Sequence, residues 1–460
     1  MRLPSPWKGR LADTAGPLHE RLVTALAEDI ASGVIPIGAR LPPHRDLAFR
    51  LGLGLGTVTK AYGILERRGL VQSVRGRGMF VADTAYRPSA VIDLSINTPP
   101  QMLGERLFSA TLSTLAKRLT ADSFGRYQPI AGRHEHRVLV ARWLAGHRLN
   151  ASPERLFLCH GAQHALLTAF ALACRPNGVL LIEATTYPGA IAIARHAGYQ
   201  MKPLDIDDEG VTIEALERSL NSLAKSDTPA ALYITPTLQN PTTATMGLHR
   251  RQAIVDLCRR YDAVIVEDDV YSLFTPAGLP ALAALAPERT LYVNGFSKIL
   301  SPGLRVGILV TPCAMVDRAL ASLSVTSSMA SPLACAMIEQ WLMDGTAASV
   351  GASLQLEAIK RTALARSSFS CRIWPADTAG FHIWLPMPMT DAESLRERAA
   401  AVGVVVTPPS ALLVDPNAKE AGIRLCIGSP SIGELESALM RINGLLTKRA
   451  VEDSGLMMIV

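Results

Sequence analysis

The chain has 460 residues, of which 48% are hydrophobic and 19% are charged. It is long enough for two or three domains and too apolar for a wholly disordered protein. The uncharged stretch that comes nearest to a membrane span, residues 319–338, is rich in serine and contains proline, so no spanning helix is predicted. Residues 1–14 carry no apolar run typical of a secretory signal, which favours a cytoplasmic location. Seven widely spaced cysteines without a C-x-x-C or Cys/His cluster predict neither a disulfide framework nor a metal site.

The formal net charge of +6 is concentrated near the N-terminus. Residues 1–87 hold 13 Lys/Arg against 7 Asp/Glu, so the rest of the chain is neutral overall. This asymmetry predicts a small polyanion-binding module joined to a neutral body. The alternative is a small helical cap with a solvated basic face.

The basic segment contains the pattern of a helix-turn-helix. Apolar residues at every fourth position from Leu18 to Ile30 predict a helix over residues 17–32. A short helix follows Pro42 and Pro43, and three glycines separate it from a third helix over residues 56–68. The third helix buries one apolar face and turns short polar residues and a lysine outward, namely Thr57, Thr59 and Lys60. Such a helix suits the DNA major groove.

Two β-prone runs, residues 70–74 and 79–81, follow the third helix. They flank the sequence Arg75-Gly76-Arg77-Gly78 and predict a hairpin with a basic tip. Arginines on glycine hinges can approach DNA phosphates or the minor groove closely. The segment therefore predicts a winged helix-turn-helix domain over residues 12–82, followed by a polar linker over residues 83–91.

Beyond the linker, apolar runs alternate with helical stretches. The predicted strands are residues 156–158, 179–182, 231–234, 264–266 and 291–293. This alternation predicts an α/β domain with a mainly parallel sheet over residues 92–448, and residues 449–460 are predicted to form a tail.

Chemically useful side chains follow three of these strands. Asn240 follows residues 231–234, Asp268 and Tyr271 follow residues 264–266, and Lys298 follows residues 291–293. Because the carboxyl ends of parallel strands share one edge of a sheet, these side chains are expected to converge. Asp269 is an alternative to Asp268 as the acid.

Other residues near the same edge suit a phosphate and an aromatic ring. Ser297 and Arg305 lie on either side of Lys298, while Ala162 and Gln163 open a helix whose free amides can bind an anion. Tyr187 offers a stacking ring. A lysine, an acid, donors for a phenolate oxygen and a phosphate cradle are together what pyridoxal 5'-phosphate (PLP) chemistry requires.

Residues 17–81, with "LPPHRDLA" and "GLGLGTVTKAYGILERRGL", resemble the winged helix-turn-helix of GntR-type regulators. The resemblance implies that DNA is contacted by Arg45, Thr57, Thr59, Lys60, Arg75 and Gly76. Many family members have arginine in the turn before the third helix. This chain has Gly54-Leu55-Gly56 there, so that contact is absent.

Residues 92–446, with "SKILSPGLRVG", resemble the fold type I aminotransferases. The resemblance implies Lys298 as the catalytic Schiff-base residue, Asp268 at the pyridine nitrogen, Tyr271 and Asn240 at the phenolate oxygen, Tyr187 stacked on the ring, and Ala162, Gln163, Ser297 and Arg305 at the phosphate. It also implies that Tyr127 reaches the phosphate of the partner subunit and that Arg424, in "GIRLCIG", grips a carboxylate of the substrate or effector. Thr243 departs from the family pattern, because glycine is common at that position.

A GntR-type head joined to an aminotransferase-like body, with its smaller C-terminal subdomain, is similar to the MocR-type subgroup of GntR regulators. The resemblance implies a transcription regulator that binds a double-stranded DNA operator and senses an amino compound, or PLP itself, through Lys298. It also implies a domain-swapped, head-to-tail homodimer without a membrane partner. The alternatives are an active aminotransferase with a DNA-binding appendage and a body that serves only as a dimerisation scaffold.

Overall fold

The computed structural model describes residues 7–13, 16–36, 38–67, 70–74, 78–81, 91–369, 373 and 379–456. The chain divides into two compact units, Met1–Ala90 and Val91–Val460, called here the head and the body. The predicted wing-tip residues Arg75 and Gly76, and residues 83–90 of the predicted linker, lie outside the described residues.

The head consists of three helices and a two-stranded hairpin, as the sequence predicts: α1 (Leu18–Ala31), α2 (His44–Leu51), α3 (Leu55–Arg67), β1 (Val71–Val74) and β2 (Gly78–Val81). Glycine is needed at the turn after α2, because Gly52 has the positive φ of 64° that side chains disfavour. The apolar face of α3 is fully buried, and its members are Val58, Ala61, Tyr62 and Leu65. Leu22 and Leu26 of α1 pack on the same core, whereas Leu18 at the helix start is exposed.

The packed head begins earlier than the predicted boundary at residue 12. The Trp7 ring is buried, and its Nε1 donates to Asp29 Oδ2 at 2.8 Å. The Arg10 guanidinium also donates to Asp29, at 2.6 Å from Nη2 to Oδ1. A residue outside the helical repeat can still belong to the core, which periodicity does not reveal.

The body contains thirteen described strands, numbered from the head onward: β3 (Ile92–Asp93), β4 (Leu156–His160), β5 (Val179–Glu183), β6 (Gln200–Leu204), β7 (Ile206–Asp207), β8 (Gly210–Val211), β9 (Ala230–Ile234), β10 (Val264–Asp268), β11 (Thr290–Gly295), β12 (Val306–Val310), β13 (His382–Pro388), β14 (Val404–Val405) and β15 (Glu420–Cys426). Its described α-helices are α4 (Glu105–Arg118), α5 (Asp122–Gly125), α6 (His134–Gly146), α7 (Gly161–Ala173), α8 (Pro188–His196), α9 (Ile213–Lys225), α10 (Leu248–Arg260), α11 (Leu282–Leu285), α12 (Val316–Thr326), α13 (Pro332–Met343), α14 (Thr346–Ser368), α15 (Met389–Ala401) and α16 (Ile432–Leu456).

The main sheet has seven strands in the order β4-β12-β11-β10-β9-β5-β6. Strands β11, β10, β9, β5 and β6 pair in parallel. The first four of these were predicted from the sequence, whereas β6 was not. Strand β12 was not predicted either, and it runs antiparallel to both β11 and β4. The chain reverses direction between β11 and β12, which brings the segment with Lys298 and Arg305 to the carboxyl edge of the parallel strands.

Helices cover both faces of this sheet, because alternate strand residues point to opposite sides. On one face, Tyr233 and Val266 pack with α7 residues that include Phe170. On the other face, Leu232 and Ile265 pack with residues of α9 and α10. Among the described residues, no helix is long and apolar enough to span a membrane.

A smaller C-terminal subdomain has its own core, as predicted. Strands β13 and β15 pair antiparallel, and the short strand β14 pairs with β3 from the start of the body. Apolar residues of these strands pack with α14, α15 and α16. Helix α16 continues past the predicted tail boundary to Leu456, since neither proline nor glycine interrupts residues 445–454.

Candidate cofactor-binding site

A cavity of about 480 Å³ lies at the carboxyl edge of the parallel strands. Ten of the eleven side chains that the sequence singles out in the body line it: Ala162, Gln163, Tyr187, Asn240, Asp268, Tyr271, Ser297, Lys298, Arg305 and Arg424. The exception is Tyr127, which is 88% exposed and lies instead beside Arg126 and Arg133 in a surface depression. One chain therefore brings together an amine, a carboxylate, two phenols and two guanidinium groups.

The amine at the centre of the cavity belongs to Lys298, on a single turn of 3-10 helix after β11. Its Nζ donates to the carbonyl oxygen of Asn97. Burial lowers the pKa of Lys298 to about 8, and the positive charge of Arg424 adds to the shift. A substantial fraction of this amine is therefore neutral near pH 8, and a neutral amine can attack an aldehyde.

Asp268, at the end of β10, presents a carboxylate to the cavity. Its Oδ2 accepts a hydrogen bond from the Tyr233 hydroxyl at 3.0 Å, whereas its Oδ1 is buried without a hydrogen-bond partner. Burial raises the pKa of Asp268 to about 6. An unpaired buried carboxylate oxygen fits a protonated pyridine nitrogen. Asp269 does not line the cavity, so the geometry favours Asp268 as the acid.

Helix α7 and the Lys298 segment form an anion cradle. The helix begins at Gly161, and the Ser297 hydroxyl is buried without a hydrogen-bond partner. A Cβ at Gly161 would lie 2.7 Å from an Arg305 nitrogen, and one at Gly307 would lie 2.2 Å from the Gly161 carbonyl carbon. Glycine at both positions therefore lets the helix N-terminus and Arg305 approach each other. The cradle fits a phosphate group.

Tyr271 and Asn240 lie on another side of the cavity. The Tyr271 hydroxyl accepts a hydrogen bond from Asn97 Nδ2 at 2.8 Å and keeps its own hydrogen for donation. Burial raises the pKa of Tyr271 above its ordinary value, so the phenol stays protonated. It is thus a ready donor to a phenolate oxygen.

Arg424, on β15, is buried and held by neutral acceptors. Its Nη1 donates to Asn240 Oδ1 at 2.8 Å, and its Nη2 donates to the Ser95 carbonyl and to Thr407 Oγ1, both at 2.7 Å. Its Nε is buried without a partner. In the described part of the chain, no carboxylate forms an ion pair with this guanidinium. An uncompensated buried cation fits an anionic ligand group such as a carboxylate.

The sequence analysis missed several residues that shape the cavity. Asn97 hydrogen-bonds to Tyr271 and, at 3.0 Å, to His382 Nδ1. Burial lowers the pKa of His382 to about 3, so this ring is neutral. Ser95 supplies a carbonyl to Arg424, and Tyr233 supplies a hydroxyl to Asp268. The polar residues that follow β3 could have pointed to Ser95 and Asn97 as site residues. Their hydrogen-bond partners, however, lie far along the chain.

The described DNA-contact candidates lie on the surface of the head. Arg45 of α2 and Thr59 and Lys60 of α3 are exposed, and Thr57 is half-buried. The apolar side chains of α3 lie in the core of the head, so α3 has an apolar inner face and a polar outer face. This arrangement is compatible with insertion of α3 into a groove.

Thr243 adopts a backbone conformation that favours glycine, with φ of 64°. A β-branched residue is strained there, so we expect Thr243→Gly to raise the free energy of unfolding of the body by about 1 kcal/mol. Thr243→Ala removes the hydroxyl and methyl groups of threonine but keeps the Cβ atom. It should therefore bring no such gain in stability. Denaturant unfolding of the three proteins measures the difference. Equal stabilisation by both substitutions would show that the backbone is not the cause.

Comparison with known proteins matches both units to families. Residues 89–442 match the family of aminotransferases of class I and II, and residues 18–81 match bacterial regulatory proteins of the gntR family. The uncharacterized HTH-type transcriptional regulator YdeF of Bacillus subtilis (strain 168) is 26% identical over 458 residues, covering 96% of this chain and 97% of that protein.

Two further matches extend the comparison. The probable rhizopine catabolism regulatory protein MocR of Rhizobium meliloti is 27% identical and covers 72% of this chain and 73% of its own. The crystal structure of an archaeal alanine:glyoxylate aminotransferase is 21% identical, with a TM-score of 0.73, and covers 85% of this chain and 95% of its own. This last likeness establishes the fold of the body.

Proposed function

The chain belongs to the aminotransferase class I and II family and carries a gntR-family head, and from this premise we propose that it is a PLP-dependent transcription regulator. The observation that carries the proposal is the union, in one chain, of a winged helix-turn-helix and a cavity lined by Lys298 and by the buried residues Asp268 and Arg424. YdeF and MocR, whose names describe regulators, support it, since YdeF matches nearly the whole chain.

The residues of the cavity fit PLP in four places. Ser297, Arg305 and the start of α7 would hold its phosphate, Asp268 its pyridine nitrogen and Tyr271 its phenolate oxygen, while Tyr187 would cover the ring. When bound, PLP would supply an electrophilic carbon at the position of the Lys298 amine. Lys298 would hold that carbon covalently and would be the group with which an incoming amine competes.

Arg424 extends the proposal to the ligand. A carboxylate that reaches the guanidinium competes with the Ser95 carbonyl and Thr407 for its donors. An amino compound with a carboxylate would therefore compete with Lys298 through its amine and bind Arg424 through its carboxylate. Its different affinity for two conformations of the body would alter DNA binding, because a ligand shifts an equilibrium only through such a difference.

We also propose that the active form is a cytoplasmic homodimer with a head-to-tail, domain-swapped arrangement. The 88% exposure of Tyr127, together with its absence from the cavity lining of its own chain, supports a role for this side chain in a partner's site. A two-fold dimer would present two heads to two half-sites of an operator.

We expect Arg45→Ala to weaken binding to duplex DNA and to reduce the slope of log affinity against log salt by about one unit, since one phosphate contact is lost. Fluorescence anisotropy of a random-sequence duplex at several salt concentrations measures both effects. Arg218→Ala removes an exposed arginine from the body and serves as the control for total charge. An unchanged slope in Arg45→Ala, or an equal loss in both variants, would remove Arg45 from the contacts.

A further inference from the structure

We propose that Tyr233 is a positioning residue for the cofactor: its hydroxyl fixes one oxygen of Asp268 so that the other faces the pyridine nitrogen. The inference rests on the proposed cofactor site and adds a residue that lies behind it. Tyr233 does not line the cavity, so it acts only through Asp268.

The geometry of the pair is tightly defined. Tyr233 belongs to β9 and is paired in register with Val266 of β10, two residues before Asp268. Its ring is fully buried and packs edge-on against Phe170, with 5.5 Å between ring centroids. The hydroxyl donates to Asp268 Oδ2 at 3.0 Å, and Asp268 Oδ1 remains without a partner. A rigid donor therefore selects which carboxylate oxygen is free for a ligand.

The same hydrogen bond favours the charged form of Asp268. Burial raises the pKa of this carboxyl, whereas donation from the Tyr233 hydroxyl, donation from the Val270 backbone and the charge of Lys298 lower it, in that order. A neutral acid would not hold a protonated pyridine nitrogen, so Tyr233 helps to preserve the useful charge. Other titratable groups interact electrostatically with this pair. They are Glu183, Asp269, Tyr187 and Tyr271.

The chain contains an internal control in a second buried Tyr–Asp pair. Tyr292 of β11 donates to Asp269 Oδ2 at 2.9 Å, and both side chains are buried. Asp268 is the last residue of β10 and Asp269 follows the strand, and of the two only Asp268 lines the cavity. The two pairs share their donor, acceptor and burial and differ in access to the cofactor. The Tyr292 hydroxyl additionally accepts a hydrogen bond from Asn294 Nδ2 at 2.7 Å.

The experiment compares Tyr233→Phe with Tyr292→Phe in the full-length protein, using PLP as the probe. For Tyr233→Phe we expect the dissociation constant of PLP to rise about tenfold, in line with the loss of a hydrogen bond to a charged group. We also expect the pH transition of the bound-cofactor absorbance to move upward by about one unit, because a less protonated pyridine ring withdraws less electron density. Tyr292→Phe should leave both quantities at the wild-type values.

A double-mutant cycle separates positioning from general loosening of the core. If Tyr233 acts through Asp268, adding Tyr233→Phe to Asp268→Asn changes PLP affinity little further. The inference is wrong if Tyr233→Phe and Tyr292→Phe give the same affinity and the same pH transition, or if the effects of Tyr233→Phe and Asp268→Asn simply add. A wild-type protein without any cofactor band would instead overturn the proposed function, which keeps the two failures distinct.

Discussion

Replacing Lys298 with alanine is expected to abolish the absorbance band of covalently bound PLP and to weaken retention of the cofactor at least about a hundredfold. Lys298 is the only lysine that lines the described cavity, so no neighbouring lysine can replace it. Absorbance spectroscopy after gel filtration measures the loss, and circular dichroism shows whether the protein stays folded. Lys202→Ala, on β6 outside the cavity, is the control. A retained band in folded Lys298→Ala would exclude Lys298 as the point of attachment.

The lowered pKa of Lys298 adds a pH dependence to this prediction. Only the neutral amine attacks an aldehyde, and burial lowers the pKa of Lys298 from its ordinary value of 10.5 to about 8. The rate of PLP uptake by apoprotein should therefore rise with pH, reach half its maximum near pH 8 and then level off. Stopped-flow absorbance between pH 6.5 and 9.5 covers this range. A rate that still rises steeply at pH 9.5 would show that the amine is not perturbed.

Replacing Arg424 with alanine is expected to weaken the response to a carboxylate-bearing amine by about a hundredfold, the scale of a lost buried charge-assisted contact. PLP affinity should change far less, since the phosphate and pyridine contacts remain. Spectral titration with alanine and with ethylamine, which lacks the carboxylate, measures the contribution of the carboxylate to binding. Arg424→Ala should lose the preference for alanine over ethylamine. Arg424→Lys retains a positive charge and should keep part of this preference.

Loss of this large buried side chain also affects the protein itself, because Asn240, Thr407 and the Ser95 carbonyl lose their donor. The ratio of alanine to ethylamine affinity is therefore the informative quantity, as it cancels a general loosening of the cavity. An unchanged ratio in the folded Arg424→Ala variant would show that the carboxylate is bound elsewhere.

Much of the site could be predicted because it follows strand ends. Asn240, Asp268 and Lys298 each come shortly after an apolar run, and parallel strands place such positions at one edge. The fold of the head could be predicted equally well, because the apolar residues of α3 recur with the helical period and Gly52 marks the turn after α2.

The remaining features depend on contacts across long stretches of chain. Asn97 meets Tyr271 and Lys298 from more than 170 residues away, and no local pattern marks that approach. Tyr233 lies inside an apolar strand, where the sequence pattern assigns it to the core, and only its hydrogen bond to Asp268 reveals a polar role. The direction of strand β12 could not be predicted, because it is set by pairing with β11 and β4 and the periodicity of the sequence does not encode that pairing.

The absorbance spectrum of the purified protein with PLP, followed by titration with a panel of amino acids and amines, tests the proposed regulator directly. We expect a band that depends on Lys298 and shifts with a carboxylate-bearing amine. We also expect a change in affinity for duplex DNA and no sustained turnover. A protein that forms no band at saturating PLP would contradict the cofactor site. Steady release of keto acid without any effect on DNA binding would contradict the regulator and identify an aminotransferase.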